Sequence, residues 1–362
     1  MVLKKQHLKK IVSGVQSFSS LFELYKQKSQ TERLIHLALF SENRRVAKEI
    51  LKKHGKEALD YFKLQEGKAS FIYKNTLIVY RICAGDVIAL GDPVGPEDEI
   101  EEAIKSFDNF CSEHGWKLSF FQCSNAYLEK YTSAKYEKIK IGSEAIVDLE
   151  NFDLVGPKKK DFRNRVRKLE KLGYFVKTYK GDISDKVFDR LQVISDEWLD
   201  EPNRIERSFS LGYFNRAYIE KSEILTVENE AGEIVAFINI IPSYREGEVA
   251  IDLMRKAKAA PSGVMDYIFV KAILELQERG YKSLSLGLAP MSGFTKDEKS
   301  SVAEQAVHSI FQRLNFLFNY EGLKVFKDKF ATNWHPKFLA FKSIPQLPQL
   351  AFSIKRTLEE IC

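Results

Sequence analysis

The sequence predicts an α/β protein of the α+β kind, built from two copies of one mixed unit with a basic helix between them. Three observations carry this. At 362 residues the chain has room for two domains. The order of its patterns repeats. "HGWKLSFFQCS" is answered by "RGYKSLSLGLAP", and "GDVIALGDPVGP" by "EVAIDLMRKAKAAP", which points to a duplicated unit with a mostly antiparallel sheet. Between the copies, "GPKKKDFRNRVRKLEKLGY" holds eight basic and two acidic residues from Lys158 to Lys171. The expected division is an amphipathic helical segment over 1–30, a first unit over 31–156, a linker helix over 157–173, a second unit over 174–345 and a C-terminal helix over 346–362.

The elements follow in order. Leu8, Ile11, Val15, Phe18 and Phe22 recur at helical spacing behind a lysine cluster, which suits a helix on the core or on an anionic membrane surface. Residues 31–64 read as helical. "SFIYKNTLIVYRICAGDVIALGDPVGP" reads as successive strands stopped by Gly and Pro. A helix over 97–114 has acidic residues in its first turn and Gly115 beyond its end. Strands follow at "WKLSFFQCS" and "EAIVDL". In the linker, Pro157 suits a helix start and Gly173 a stop, with Phe162, Val166 and Leu169 as one apolar stripe. The second unit has a helix over 184–200, a hairpin turning at Glu230–Gly232, the strand "EVAIDLMR", a helix over 263–279, the strand "YKSLSLGLAP", a helix over 301–318 and a last strand at "KFLAF".

Composition narrows the chemistry. The net charge of +6 permits an anionic partner without requiring one. The four cysteines form no CxxC pair and the six histidines show no HxxxH or HxH spacing, so no metal site is expected. No apolar run reaches the roughly 18 residues that cross a bilayer, and no signal peptide is evident.

The stretch 248–279 resembles the cofactor-binding heart of the GNAT (N-acetyltransferase) fold, where loop amides and a helix N-terminus hold the pyrophosphate of coenzyme A. Here "RKAKAAPSGVMD" offers one glycine, Gly263, and a proline. That nest is poorly supplied, so no cofactor is expected and the donor must bring its own activated acyl group. "FSLGYFNRAYI", "AFINIIP", "IDLMR", "GVMDYIFVKAI", "GYKSLSLGLAP" and "FNYEGLKVFKDKFATNWHPKFLAF" resemble the catalytic domain of bacterial aminoacyl-phosphatidylglycerol synthases, the multiple peptide resistance factors. "LGDPVG" and "EAIVDLENFDLVG" extend the resemblance to about residues 35–345.

The resemblance implies a tandem GNAT (acetyltransferase-like) fold. It also implies a place on the cytoplasmic face of the bacterial membrane, below an N-terminal transmembrane domain absent from this chain. The implied reaction moves an aminoacyl group, expected to be lysyl, from lysyl-tRNA to phosphatidylglycerol. The lipid product makes the membrane less anionic and protects against cationic antimicrobial peptides. Asp252, Arg255, Lys327 and Lys329 are the implied catalytic residues. Asp252 would bind the α-ammonium or accept the hydroxyl proton, and the lysines would hold phosphate or the oxyanion. Strand alternation puts Asp252 and Arg255 on opposite faces unless the strand breaks near Leu253. If extended, Lys327 and Lys329 share a side. Glu304, Asp297 and Glu321 are candidates for a lysyl ε-ammonium, and Tyr213, Ser285 and Ser292 for the pocket. Lys158, Lys159, Arg163 and Arg167 are candidates for phosphate contacts with tRNA or an anionic membrane surface. The rival readings are an alanyl-transferring enzyme, a peptidoglycan cross-bridge aminoacyltransferase, and a non-catalytic module that docks tRNA or anionic lipid.

Overall fold

The computed structural model describes residues 44–202, 204–290 and 320–359. The expected helices over 1–30 and 301–318 lie outside these residues. Eleven strands are described: β1 Ala69–Tyr73, β2 Thr76–Cys83, β3 Asp86–Leu90, β4 Lys117–Ser124, β5 Glu137–Asp148, β6 Phe175–Tyr179, β7 Glu223–Glu228, β8 Ile234–Pro242, β9 Glu248–Lys256, β10 Ser283–Pro290 and β11 Asn333–Phe341. The helices are α1 over 44–54, then α2 Ile100–Glu113, α3 Leu128–Ser133, α4 Lys160–Lys171, α5 Asp185–Leu199, α6 Arg216–Glu220, α7 Val264–Glu278, α8 Tyr320–Asp328 and α9 Leu347–Glu359. Among the described residues, no helix is long and apolar enough to cross a membrane.

All eleven strands join one mixed sheet, ordered β1-β2-β3-β4-β11-β5-β10-β9-β8-β7-β6. Each half builds the acetyltransferase-like motif, in which antiparallel strands lead into a parallel pair crossed by one helix. The pairs are β3 with β4 across α2, and β9 with β10 across α7. The order at the centre departs from simple repetition. β11, the last strand of the second half, lies between β4 and β5. β5, the last strand of the first half, lies beside β10. The halves have exchanged their final strands.

Sequence patterns explain which faces are covered. Ile100, Ala103, Ile104, Phe107 and Cys111 give α2 one buried stripe against the first half. Helix α7 is buried on most of its surface, as its apolar run demands. Basic α4, started by a 3-10 turn at Pro157–Lys159, buries only Phe162 and Leu169. Phe162 stacks on Phe330 with ring centroids 4.9 Å apart, and Phe330 meets Phe269 of α7 at 5.2 Å. This cluster fixes the end of α8 against α4 and α7. On the other sheet face, α5, α9 and the 3-10 stretch Ala58–Leu64 enclose a second core.

Candidate active site

The strand β9 does not end at Leu253. It runs on to Lys256. Ile251 pairs with Ile240 and Met254 with Ile238, so Asp252 and Leu253 together oppose Asn239 alone. This β-bulge resets the alternation of the strand. Asn239 holds it open, its Oδ1 accepting from the Leu253 amide at 2.6 Å. Ala250, Leu253 and Ala257 consequently pack into one core while Val249, Ile251 and Met254 face the other. Asp252 and Arg255, expected on opposite faces of an unbroken strand, line the same cavity.

Asp252 is held by two donors. Its Oδ2 accepts from the Gly212 amide at 3.0 Å and from the Tyr218 hydroxyl at 2.5 Å. Its Oδ1 is buried and has no hydrogen-bond partner among the described residues. Burial pushes the carboxyl up to about 7, against the two hydrogen bonds and the Arg255 charge. Burial also raises the Tyr218 phenol well above its ordinary value, so it stays a donor to Asp252.

Arg255 is fully engaged. It forms a bidentate pair with Glu206 at 2.7 Å, donates to Ser195, and lies 4.9 Å over the Trp198 ring. Glu206 in turn accepts from the Phe214 amide at 3.1 Å. The guanidinium therefore anchors the loop over 205–214, which delivers the Gly212 amide to Asp252.

Gly212 allows a close approach. A Cβ there would lie 2.1–2.3 Å from the Tyr218 ring and hydroxyl. Gly212→Ala is expected to push the phenol off Asp252 and lower turnover roughly 100-fold, with the fold retained by circular dichroism. Turnover within threefold of the parent would contradict this.

The second half of the site comes from a gap in the sheet. β9 and β10 pair only over Glu248–Ala250 and Ser283–Ser285. Beyond this, β9 follows β8 and β10 follows β5, so the parallel strands part. β10 carries its own bulge, with Leu286 and Gly287 opposing Ala145 alone. Gly287 takes φ +73°, which its missing Cβ permits. The bulge turns carbonyls inward. Lys327 of α8 donates to Gly287 O at 3.1 Å and Leu288 O at 2.8 Å. It is 5% exposed, and burial brings its ammonium down to about 7, with Glu144 and Asp252 pulling the other way.

The cavity between these groups has a volume of about 260 Å³. Asp252, Arg255, Lys327, Glu144 and Lys337 are among the polar groups that line it. Leu59, Phe62, Phe121 and Ile141, with Ile354 and Leu358 of α9, supply part of its apolar lining.

The remaining sequence candidates, Ser285 excepted, lie elsewhere. Residues 320–328 are helical, so Lys327 and Lys329 diverge instead of sharing a side. Leu323, Phe326 and Phe330 fix the helical rotation, and Lys329 pairs with Asp266 at 2.9 Å outside the cavity. Tyr213 does not line the cavity, although its neighbour Gly212 does. Arg163 donates to Leu154 O and Gly156 O, and Lys159 lies over the Phe152 and Phe162 rings. Lys158 and Arg167 are exposed. All four belong to the α4 region and none lines the cavity. Ser285 does line the cavity, whereas Asp297, Glu304 and Ser292 lie outside the described residues, as does the side chain of Glu321, whose backbone is in α8.

At the N-terminus of α7, Arg165 of α4 pairs with the first-turn carboxylate of Asp266 and packs along Gly263. This chain's own guanidinium and carboxylate thus cover the end where a pyrophosphate would sit in an acetyltransferase.

Sequence reasoning missed Tyr218, Glu206, Glu144 and Lys337. They come from four separate elements, with no spacing to connect them. Tyr218 alone had a local signal. Asn215, whose side chain accepts from the Tyr218 amide at 2.9 Å, caps the short helix that places it six residues after Gly212.

Comparison with known proteins bears on this geometry. Residues 48–341 match the family model described as phosphatidylglycerol lysyltransferase, C-terminal. A phosphatidylglycerol lysyltransferase of Bacillus subtilis is 33% identical over 284 residues, covering 78% of this chain and 33% of the relative. The structure of L-PGS from Bacillus licheniformis superposes with a TM-score of 0.77 at 33% identity, covering 87% of this chain and 96% of the other. The C-terminal domain of a putative lysylphosphatidylglycerol synthetase from Agrobacterium fabrum gives 0.77 at 28% identity, covering 88% and 98%. The chain spans about a third of the length of the curated relatives it matches.

Proposed function

The chain belongs to the phosphatidylglycerol lysyltransferase C-terminal family, and from that premise we propose that its cavity moves a lysyl group from lysyl-tRNA to a glycerol hydroxyl of phosphatidylglycerol. The observation that carries the reading is Asp252, with one carboxylate oxygen held by Gly212 and Tyr218 and the other buried without a partner among the described residues, on the same cavity as Lys327. Asp252 Oδ1 takes the proton of the glycerol hydroxyl as its oxygen attacks the lysyl ester carbonyl. Lys327 faces the charge that develops on the carbonyl oxygen. The ester bond to the tRNA ribose breaks as the bond to glycerol forms, and the proton passes to the departing ribose hydroxyl. The apolar lining that includes Ile354 and Leu358 of α9 suits the lipid side of the acceptor.

The exposed basic residues of α4 suit the phosphates of tRNA, and an anionic membrane surface is the second partner. The product reduces the negative charge of the membrane and with it the attraction of cationic antimicrobial peptides. The test supplies the purified chain with radiolabelled lysyl-tRNA, or alanyl-tRNA in parallel, and phosphatidylglycerol in detergent. Label from lysyl-tRNA in the lipid fraction supports the proposal. Label from alanyl-tRNA alone replaces lysine with alanine, and no transfer from either rejects the enzyme reading. Reversing Lys160, Arg167 and Lys168 to Glu is expected to weaken tRNA binding and flatten the slope of log affinity against log salt by about 1 for each phosphate no longer neutralised. An unchanged slope would remove α4 from tRNA binding.

A further inference from the structure

A line of buried polar contacts runs from the first half of the molecule to Lys327. Lys337 of β11, 3% exposed, pairs with Glu57 at 2.5 Å and with Glu144 Oε2 at 3.5 Å. Glu144 Oε1 accepts from the Ser285 hydroxyl at 2.6 Å. Ser285 Oγ accepts from the Gly287 amide at 3.2 Å. The Gly287 carbonyl, on the same bulge, accepts from Lys327 Nζ. Each link joins a different strand or helix: β11 to β5, β5 to β10, β10 to α8.

A bulge is the part of a strand least held by its ladder. Here a side chain replaces the missing ladder contact. Ser285 returns to the amide two residues on, and Glu144 fixes the Ser285 rotamer. Glu144 can do this only while its other oxygen is neutralised, because a buried carboxylate without a cation is costly. Lys337 supplies that cation, and the strand exchange brings it there.

We propose that Lys337, Glu144 and Ser285 are positioning residues that set the β10 bulge and so the place of Lys327 Nζ in the cavity. The kinetic consequence rests on the lysyl-transfer reading, whereas the placement of Lys327 does not. Two measurements keep these apart. The first is the NMR titration of Lys327 in the full chain labelled at lysine Cε, with its signal assigned from Lys327→Arg. Glu144→Gln removes the carboxylate that favours the charged ammonium and is expected to lower the Lys327 midpoint by about one pH unit. Ser285→Ala withdraws the bulge carbonyls that accept from the ammonium and favour its charged form, and is expected to lower the midpoint as well. Because Glu144→Gln also acts directly through its charge, Ser285→Ala decides: an unchanged midpoint in the folded variant overturns the proposal. Should Ser285→Ala fail to fold, Ser285→Cys takes its place.

The second measurement is steady-state transfer. Ser285→Ala is expected to lower kcat about tenfold with KM for phosphatidylglycerol within twofold. An unchanged kcat in a chain whose parent transfers lysine overturns the relay. A parent that transfers nothing overturns the lysyl-transfer reading, and the titration still decides the relay.

Discussion

Asp252→Asn is expected to lower lysyl transfer by about 10²–10⁴-fold and, at pH 8, to raise the melting temperature. The two effects share one cause. Burial holds the carboxyl at about 7, above its ordinary 3.8. Between those values the native state keeps a proton that the unfolded chain releases. Stability therefore falls as pH rises through that window and stays lowered above 7. Asparagine can still accept from Gly212 and Tyr218 but carries no charge, so it recovers roughly 1–3 kcal/mol at pH 8 and little at pH 4. The measurement is transfer at pH 7 with thermal melts at both pH values. Activity within tenfold of the parent, or the same melting difference at pH 4 and pH 8, would sink the assignment.

Lys327→Met is expected to cost about 10²–10³-fold in kcat by removing the charge proposed to meet the oxyanion. Its ammonium, brought down to about 7 from 10.5, gives the opposite linkage. Between those values the unfolded chain binds the proton more readily. Wild-type stability therefore rises with pH across 7 to 10.5, and methionine removes that rise. The kinetic consequence is sharper. The proposed mechanism needs Asp252 ionised and Lys327 protonated, and burial brings both near 7. The pH profile of the parent is expected to be a narrow bell centred near 7, with no plateau, its limbs belonging to the pair. Residual activity of Lys327→Met should lose the alkaline limb. A flat parent profile from pH 6 to 9 would contradict this pairing.

The secondary structure around the site was legible because it is written in local patterns. The hairpin of β7 and β8, the buried run of α7 and the basic stripe of α4 all follow from spacing and Gly or Pro stops. The convergence of Asp252 with Arg255 was posed correctly as a question of register, but its answer was not local. It depends on Asn239, on the neighbouring strand, holding the Leu253 amide. The helix at 320–328 was legible in principle from Leu323, Phe326 and Phe330. The paired lysines invited an extended reading instead. The strand exchange had no signature, since the partners of β11 lie about two hundred residues earlier in the chain and only tertiary packing selects them.

That exchange restricts how the molecule can move. Many two-lobed enzymes admit substrate by swinging their lobes apart about a linker. Here such a swing would tear the β5–β11 ladder along Asn333–Phe341 and pull Lys337 from its two carboxylates. The lobes are riveted. The placement of Asp252 on the β9 bulge and of Lys327 against the β10 bulge is then set in advance by the sheet. On the lysyl-transfer reading, the described part of the chain is a gauge of fixed width, which favours acceptors that fit an existing slot.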